Sequence, residues 1–297
     1  MKKQWLILLI IACLVCSGFI FLCFHSDKQT AIPVFSNAPQ RIVSLAPNLT
    51  EILFELGLGD KIVAVSNDSD YPPEAAKINT IGTFWQPDVE SIIMYKPDLT
   101  ITLWFQQQQS TAETLSRLGY KVLSLKIETI DELFDAIEKI GISTNHSQQA
   151  SNLVSDMKYK LTNLREKYNA ANKKRVLWVI QAEPFRVAGR KTFINDLIAL
   201  AGGQNAIGST LQPYPPVSTE ELLACNADII IQSTMGTDNI EQQQEASILF
   251  WSNYPNLPAV KNNRIYVLDS DAVLRLGPRL PEGVEMIAHC LYEDIKK

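Results

Sequence analysis

Val89-Glu90-Ser91-Ile92-Ile93-Met94-Tyr95-Lys96-Pro97-Asp98-Leu99-Thr100-Ile101 and, 130 residues further on, Thr219-Glu220-Glu221-Leu222-Leu223-Ala224-Cys225-Asn226-Ala227-Asp228-Ile229-Ile230-Ile231 follow one pattern. Glu90 answers Glu220, Asp98 answers Asp228, and the apolar positions match. Each copy reads as a short amphipathic helix, a Pro-Asp or Ala-Asp turn and a run of β-formers. One supersecondary unit used twice implies two similar lobes facing each other. A crevice between two lobes is where a small molecule binds.

Working outward, Arg41–Leu45 reads as a strand. Asn48-Leu-Thr-Glu51 places an N-cap residue three before an acid and predicts a capping box opening a helix over Leu49–Leu56. Strand 61–65, helix 88–95, strand 99–103, helix 111–117, strand 121–125 and helix 130–140 follow. Strands alternating with helices predict a parallel α/β sheet. From Ser147 to Lys173 the chain has no Pro or Gly, and Leu153, Met157, Leu161, Leu164 and Tyr168 recur at helical spacing. This segment is expected to be one long helix joining the halves. The second half resumes with strand 175–181, helices 193–201 and 218–225, strands 228–232 and 264–268, and helix 281–294. The expected organisation is a signal or anchor at 1–24, a linker at 25–38, an α/β lobe at 39–146, a connecting helix at 147–173 and a second α/β lobe at 174–297. The fold class is α/β: two Rossmann-like lobes with parallel sheets, joined by one long α-helix.

The chain has 297 residues, 46% of them hydrophobic and 20% charged, with a formal net charge of −5. This is a globular composition, and the absence of a basic run argues against nucleic acid as a partner. Met1-Lys2-Lys3-Gln4 precedes 20 uncharged residues, Trp5 to Phe24, longer than a usual secretory core and long enough for a bilayer. Lys2 and Lys3 stay cytoplasmic, which puts the remainder outside. Two forms of membrane tether fit: an uncleaved anchor, or a lipoprotein signal through Ile10-Ile11-Ala12-Cys13, which resembles a bacterial lipobox. Cys13, Cys16 and Cys23 belong to this segment. Cys225 and Cys290 belong to the exported part, either as a pair or as two separate buried thiols.

Arg41-Ile-Val-Ser-Leu-Ala-Pro-Asn-Leu-Thr-Glu51, Ser69-Asp70-Tyr71-Pro72-Pro73, Lys96-Pro97-Asp98-Leu99 and the long helix resemble the helical-backbone substrate-binding proteins of ABC importers. The resemblance runs from about Arg41 to the C-terminus. Ser69–Pro73, Pro213-Tyr-Pro-Pro-Val-Ser218 and Ser270–Arg279 are closest to the vitamin B12-binding group. It implies a monomer with little hinge motion and no cofactor of its own. The ligand, cobalamin or a related corrinoid, would lie between the lobes, and the partners would be an ABC permease and its ATPase. It also carries the permease-docking glutamates onto Glu90 and Glu220, the pair already marked by the repeat. Exposed carboxylates on both lobes set orientation and encounter rate. As first-turn acids they also complement their helix dipoles.

A corrinoid is broad, flat and fringed with amides, so it requires aromatic walls and a few polar groups. Phe84, Trp85, Trp104, Phe185 and Tyr214 fall on loops where such walls would stand. The resemblance places ring-contacting tryptophans at Phe84, at Leu103 or Trp104, and at Tyr214, and a ligand-reaching tyrosine at Asp68. It places the stretch beside the ring at Asp271, Ala272, Val273, Leu274 and Arg275. Tyr71 completes the expected ligand set. The alternative within the same fold is a ferric siderophore or haem. His25, His146 and His289 fall on the linker or on helices away from the expected cleft, which leaves Tyr71 or Tyr214 for iron. No nucleophile elbow, Walker loop, dinucleotide fingerprint or zincin helix occurs, and the chain is expected not to be an enzyme.

Overall fold

The computed structural model describes residues 37–169, 171–234 and 239–292. The expected anchor segment, the lipobox-like Ile10-Ile11-Ala12-Cys13, Cys16, Cys23, His25 and most of the expected linker lie outside them. The first lobe runs β1 (Ile42–Ser44), α1 (Pro47–Glu55), β2 (Ile62–Val65), α2 (Val89–Met94), β3 (Leu99–Leu103), α3 (Gln106–Arg117), β4 (Val122–Leu125) and α4 (Ile130–Thr144). Its sheet is parallel throughout, in the order β2-β1-β3-β4. β1 is buried along its whole length and β3 along nearly all of it. Helices therefore cover both faces, as parallel sheets require.

The second lobe runs β5 (Arg175–Ala182), β6 (Phe185–Val187), α6 (Phe193–Leu200), β7 (Gln204–Asn205), α7 (Thr219–Ala224), β8 (Ile229–Ser233), α8 (Ile240–Trp251), α9 (Pro258–Lys261), β9 (Ile265–Leu268), α10 (Ser270–Val273) and α11 (Leu280–Tyr292). β5, β8 and β9 are parallel neighbours, and β7 pairs parallel with the start of β5. β6 departs from the expected parallel pattern: it folds back antiparallel on β5.

The repeated segments adopt the same geometry. In both, a helix ends in a left-handed residue, Lys96 at φ 45° and Asn226 at φ 50°. The aspartate then closes the turn onto the start of its lobe's first strand, β1 or β5. Asp98 Oδ2 accepts from the Gln40 and Arg41 amides at 2.9 and 3.0 Å, and Asp228 Oδ2 accepts from the Arg175 amide at 2.8 Å. Ile92 and Leu222, equivalent on α2 and α7, are both fully buried. The aspartates of the pattern are thus locks between helix, turn and sheet.

Between the lobes, α5 (Ser147–Lys167) is 21 residues long, about 32 Å at 1.5 Å per residue. It ends six residues before the expected Lys173. Tyr168 stacks on Tyr292 at 5.4 Å, and the Tyr292 hydroxyl donates to the carbonyls of Tyr168 and Gly202 at 3.1 and 2.9 Å. These contacts occupy the chain end that another helical turn would need. α5 buries Ala150, Val154, Met157, Leu161 and Leu164 in one hydrophobic cluster containing residues of both sheets, such as Ile42 and Ile229. Each of the larger side chains is worth roughly 1.5–3 kcal/mol on full burial. Gly141 permits the turn into α5, since a Cβ there would stand 2.5 Å from that of Ala150. Cys225 and Cys290 are buried in different clusters and are not bonded to each other.

The predicted capping box at Asn48 and Glu51 does not form. α1 starts one residue before Asn48, at Pro47, and its N-cap position is Ala46. Asn48 instead donates through Nδ2 to the Leu276 carbonyl of the other lobe at 2.9 Å. Glu51 receives Nε and Nη2 of Arg279 at 3.0 and 2.7 Å. Side chains that match a local motif serve as ties between the lobes.

Candidate functional site

A cavity of about 640 Å³ opens between the lobes. Pro47, Asp68, Leu103, Ile127 and Glu128 line it from the first lobe, at or just after the carboxyl ends of β1 to β4. Lys191, Thr192, Phe193, Pro213, Tyr214, Leu274, Arg275 and Leu276 line it from the second. Loops beyond the carboxyl ends of parallel strands form the usual crevice of open α/β sheets.

Phe84 and Trp85 form the aromatic wall of the first lobe. They sit in a tight loop that Gly82 allows, at φ +99°; a Cβ there would come within 2.7 Å of the Gln86 carbonyl. The Phe84 ring meets Trp85 edge-on at 4.9 Å and Phe105 at 5.0 Å. Trp85 remains 61% exposed. Together with Phe84 and Phe105 it forms an aromatic cluster at the edge of the cavity. Phe193 and Tyr214 line the cavity from the second lobe. Burial and the Glu128 carboxylate push the Tyr214 phenol above its ordinary pKa.

Arg275 lies on the cavity wall inside a charged cluster. Its guanidinium contacts Asp271 at 2.7 Å, Asp70 at 3.0 Å and Glu51 at 3.8 Å. Burial raises the Asp271 carboxyl above its usual pKa, against the pull of Arg275. Because Asp70 and Glu51 belong to the first lobe, Arg275 both lines the site and holds the lobes together.

Of the expected ligand residues, the fold brings Asp68, Phe84, Trp85, Tyr214, Leu274 and Arg275 to the cavity. It does not bring the others. Tyr71 lies under the Arg279 guanidinium, 4.0 Å from its ring centre. Trp104 is exposed outside the lining, and its neighbour Leu103 lines the cavity in its place. Phe185 is 8% exposed and packs on Trp251 and Tyr254, both at 5.8 Å, because β6 turns it into the second lobe's own core. Val273 is buried, Ala272 packs against the core, and Asp271 reaches the site through Arg275. Glu90 and Glu220 are exposed in the first turns of α2 and α7. Sequence reasoning missed Asn48, Glu128 and the Lys191–Phe193 run. For the last, the available signal was Thr192, whose side chain caps α6 by accepting from the Asn195 amide at 3.3 Å.

The periplasmic binding protein family model matches residues 42–272. A vitamin B12-binding protein of Vibrio parahaemolyticus is 30% identical over 280 residues, covering 93% of this chain and 98% of that protein. Among solved structures, a possible iron-binding periplasmic solute-binding protein of Staphylococcus epidermidis aligns with a TM-score of 0.78 at 30% identity, covering 86% of this chain and all of that one. The periplasmic vitamin B12-binding protein of Vibrio cholerae aligns at 0.73 and 29% identity, covering 88% of this chain and 99% of that one. Two parallel-sheet lobes, a connecting helix and a match over most of the chain agree: the chain belongs to the periplasmic binding protein family.

Proposed function

We propose that this chain captures cobalamin or a related corrinoid outside the cytoplasmic membrane, tethered by residues 1–24, and delivers it to an ABC permease and its ATPase. The observation that carries the reading is the interlobe cavity of about 640 Å³ with aromatic rings on both walls. Phe84 and Trp85 face it from one lobe, Phe193 and Tyr214 from the other. Flat apolar walls suit the faces of a wide ring, and Glu128, Lys191 and Arg275 offer polar partners to a fringe of amides. The vitamin B12-binding relatives support the same ligand. Glu90 and Glu220, at equivalent exposed positions of the two lobes, are the proposed contacts to the permease.

An iron-centred ligand is the second reading, raised by the Staphylococcus epidermidis neighbour. Ferric iron favours a phenolate or imidazole. Tyr214, the tyrosine on the cavity wall, has its pKa raised by burial and by Glu128, which disfavours phenolate. Neither His146 nor His289 lines the cavity. The deciding experiment titrates the detergent-solubilised full chain with cyanocobalamin, haemin and a ferric siderophore, following absorbance and tryptophan emission. Stoichiometric uptake of cyanocobalamin is expected. Uptake of haemin or siderophore without cyanocobalamin would move the chain to the iron reading.

A further inference from the structure

Asp68 stands where the resemblance places a ligand-reaching tyrosine, yet its carboxylate is turned to the protein. Oδ2 accepts from the Phe84 amide at 2.9 Å. On the other side of the same residue, the Phe84 carbonyl accepts from Gln108 Nε2 at 2.9 Å. Phe84 is thus held at both of its backbone polar groups by side chains from two different elements.

The Gln108 hold is buried, and the exposed Asp68 is carried by an anchored loop. Gln108 is fully buried and its amide is saturated. Nε2 donates also to the Leu45 carbonyl at 2.8 Å, and Oε1 accepts from the Leu103 amide at 2.8 Å and from the Thr102 hydroxyl. Gln108 therefore ties the ends of β1 and β3 to the Phe84 loop. Asp68 rides on a loop whose underside is a buried hydroxyl network. Thr50 Oγ1 lies 2.8 Å from Ser44 Oγ and 3.1 Å from Ser69 Oγ, and Ser66 Oγ lies 2.9 Å from Ser69 Oγ. The Asn67 amide also donates to the Gly82 carbonyl at 2.9 Å.

Phe84 itself packs against the core, but the same restrained loop carries Trp85, which is 61% exposed and which core packing does not hold. We propose that Asp68 is a positioning residue: by holding the Phe84 amide while Gln108 holds the Phe84 carbonyl, it presets the angle at which the Phe84–Trp85 wall meets a flat ligand. This rests on the corrinoid-binding reading for its ligand but not for its geometry. A wall already ordered in the free protein spares the ligand the ordering of two aromatic side chains, an effect of roughly ten-fold in affinity.

Asp68→Ala and Asp68→Asn in the full chain separate the roles. Asn keeps an oxygen that can accept from the Phe84 amide but carries no charge. With 5-fluorotryptophan incorporated, the Trp85 ¹⁹F resonance, identified by its loss in Trp85→Phe, reports wall order without any ligand. Asp68→Ala is expected to shift and narrow that resonance and to weaken cyanocobalamin binding about ten-fold, with Asp68→Asn recovering most of both losses. An unchanged Trp85 resonance in Asp68→Ala would overturn the proposal. So would Asp68→Asn binding as poorly as Asp68→Ala while its resonance matched the wild type, because the charge itself would then meet the ligand. If the wild type binds no cyanocobalamin, the corrinoid reading fails, and the resonance in the free protein still decides the clamp.

Discussion

Arg279→Leu removes the charge that holds Glu51 at the contact between the lobes. Glu51 is 3% exposed and receives two hydrogen bonds from Arg279, at 3.0 and 2.7 Å. Losing one partner of a buried ion pair leaves an uncompensated charge and costs about 3–5 kcal/mol. Arg275 stays 3.8 Å away and offsets part of this, so about 3 kcal/mol is expected at neutral pH. In a chain of this size that lowers the melting temperature by roughly 5 °C. The pH dependence has a definite sign. Burial is the largest influence on Glu51 and raises its pKa above the ordinary 4.5, while Arg279 pulls it down. Without Arg279 the folded value rises further. A carboxyl with a raised folded pKa contributes stability that is fully present below its unfolded pKa and is lost as pH rises through the folded one. The variant's deficit should therefore be small near pH 4.5 and grow toward neutrality. Urea denaturation across that range reads it, and adding Glu51→Gln to Arg279→Leu should restore part of the loss at neutral pH. A deficit below about 1 kcal/mol, the scale of exposed pairs, or one that grows on acidification, would refute the reasoning.

Glu90→Ala combined with Glu220→Ala is expected to abolish ligand uptake by cells carrying the cognate permease while cyanocobalamin affinity stays at the wild-type value; lost affinity would assign the glutamates to the ligand site. Phe185→Ala should cost about 3–5 kcal/mol in urea denaturation, as for a large aromatic removed from a core, without a direct effect on affinity. A stable Phe185→Ala protein that binds poorly would return Phe185 to the cleft.

Much of the architecture was legible in periodicity. The paired segments around Asp98 and Asp228 announced two lobes because one closed unit, helix to left-handed turn to aspartate lock to strand, needs the same residue types in both places. The long helix was legible for the same reason, as an uninterrupted amphipathic run. Among the helices misplaced or unread, α3 starts at Gln106, five residues ahead of its expected start, and α8 was not expected at all. Both carry runs of glutamine, and in both a glutamine amide does the docking. Gln108 bridges strand ends, and Gln244 donates to the Ile265 carbonyl and accepts from the Val267 amide, at 2.8 and 2.7 Å. A hydrophobic period cannot register a helix that is anchored partly by amides.

For the site, sequence alone determined which loops would be aromatic and which two glutamates would stand at equivalent exposed positions, since both follow from local pattern and from the repeat. Only the tertiary structure decided which aromatics face the cavity. Phe84, Trp85 and Tyr214 line it, while Phe185, equally plausible by position, is turned into the core by an antiparallel strand. It also decided that Asn48 and Glu51 tie the lobes together instead of capping a helix, and that Asp68 holds a backbone amide. In each case the partner is distant in sequence: Leu276 and Arg279 for the lobe ties, Phe84 for Asp68. Local residue pattern specifies what a side chain can bond, and the packing of the lobes selects which bond it makes.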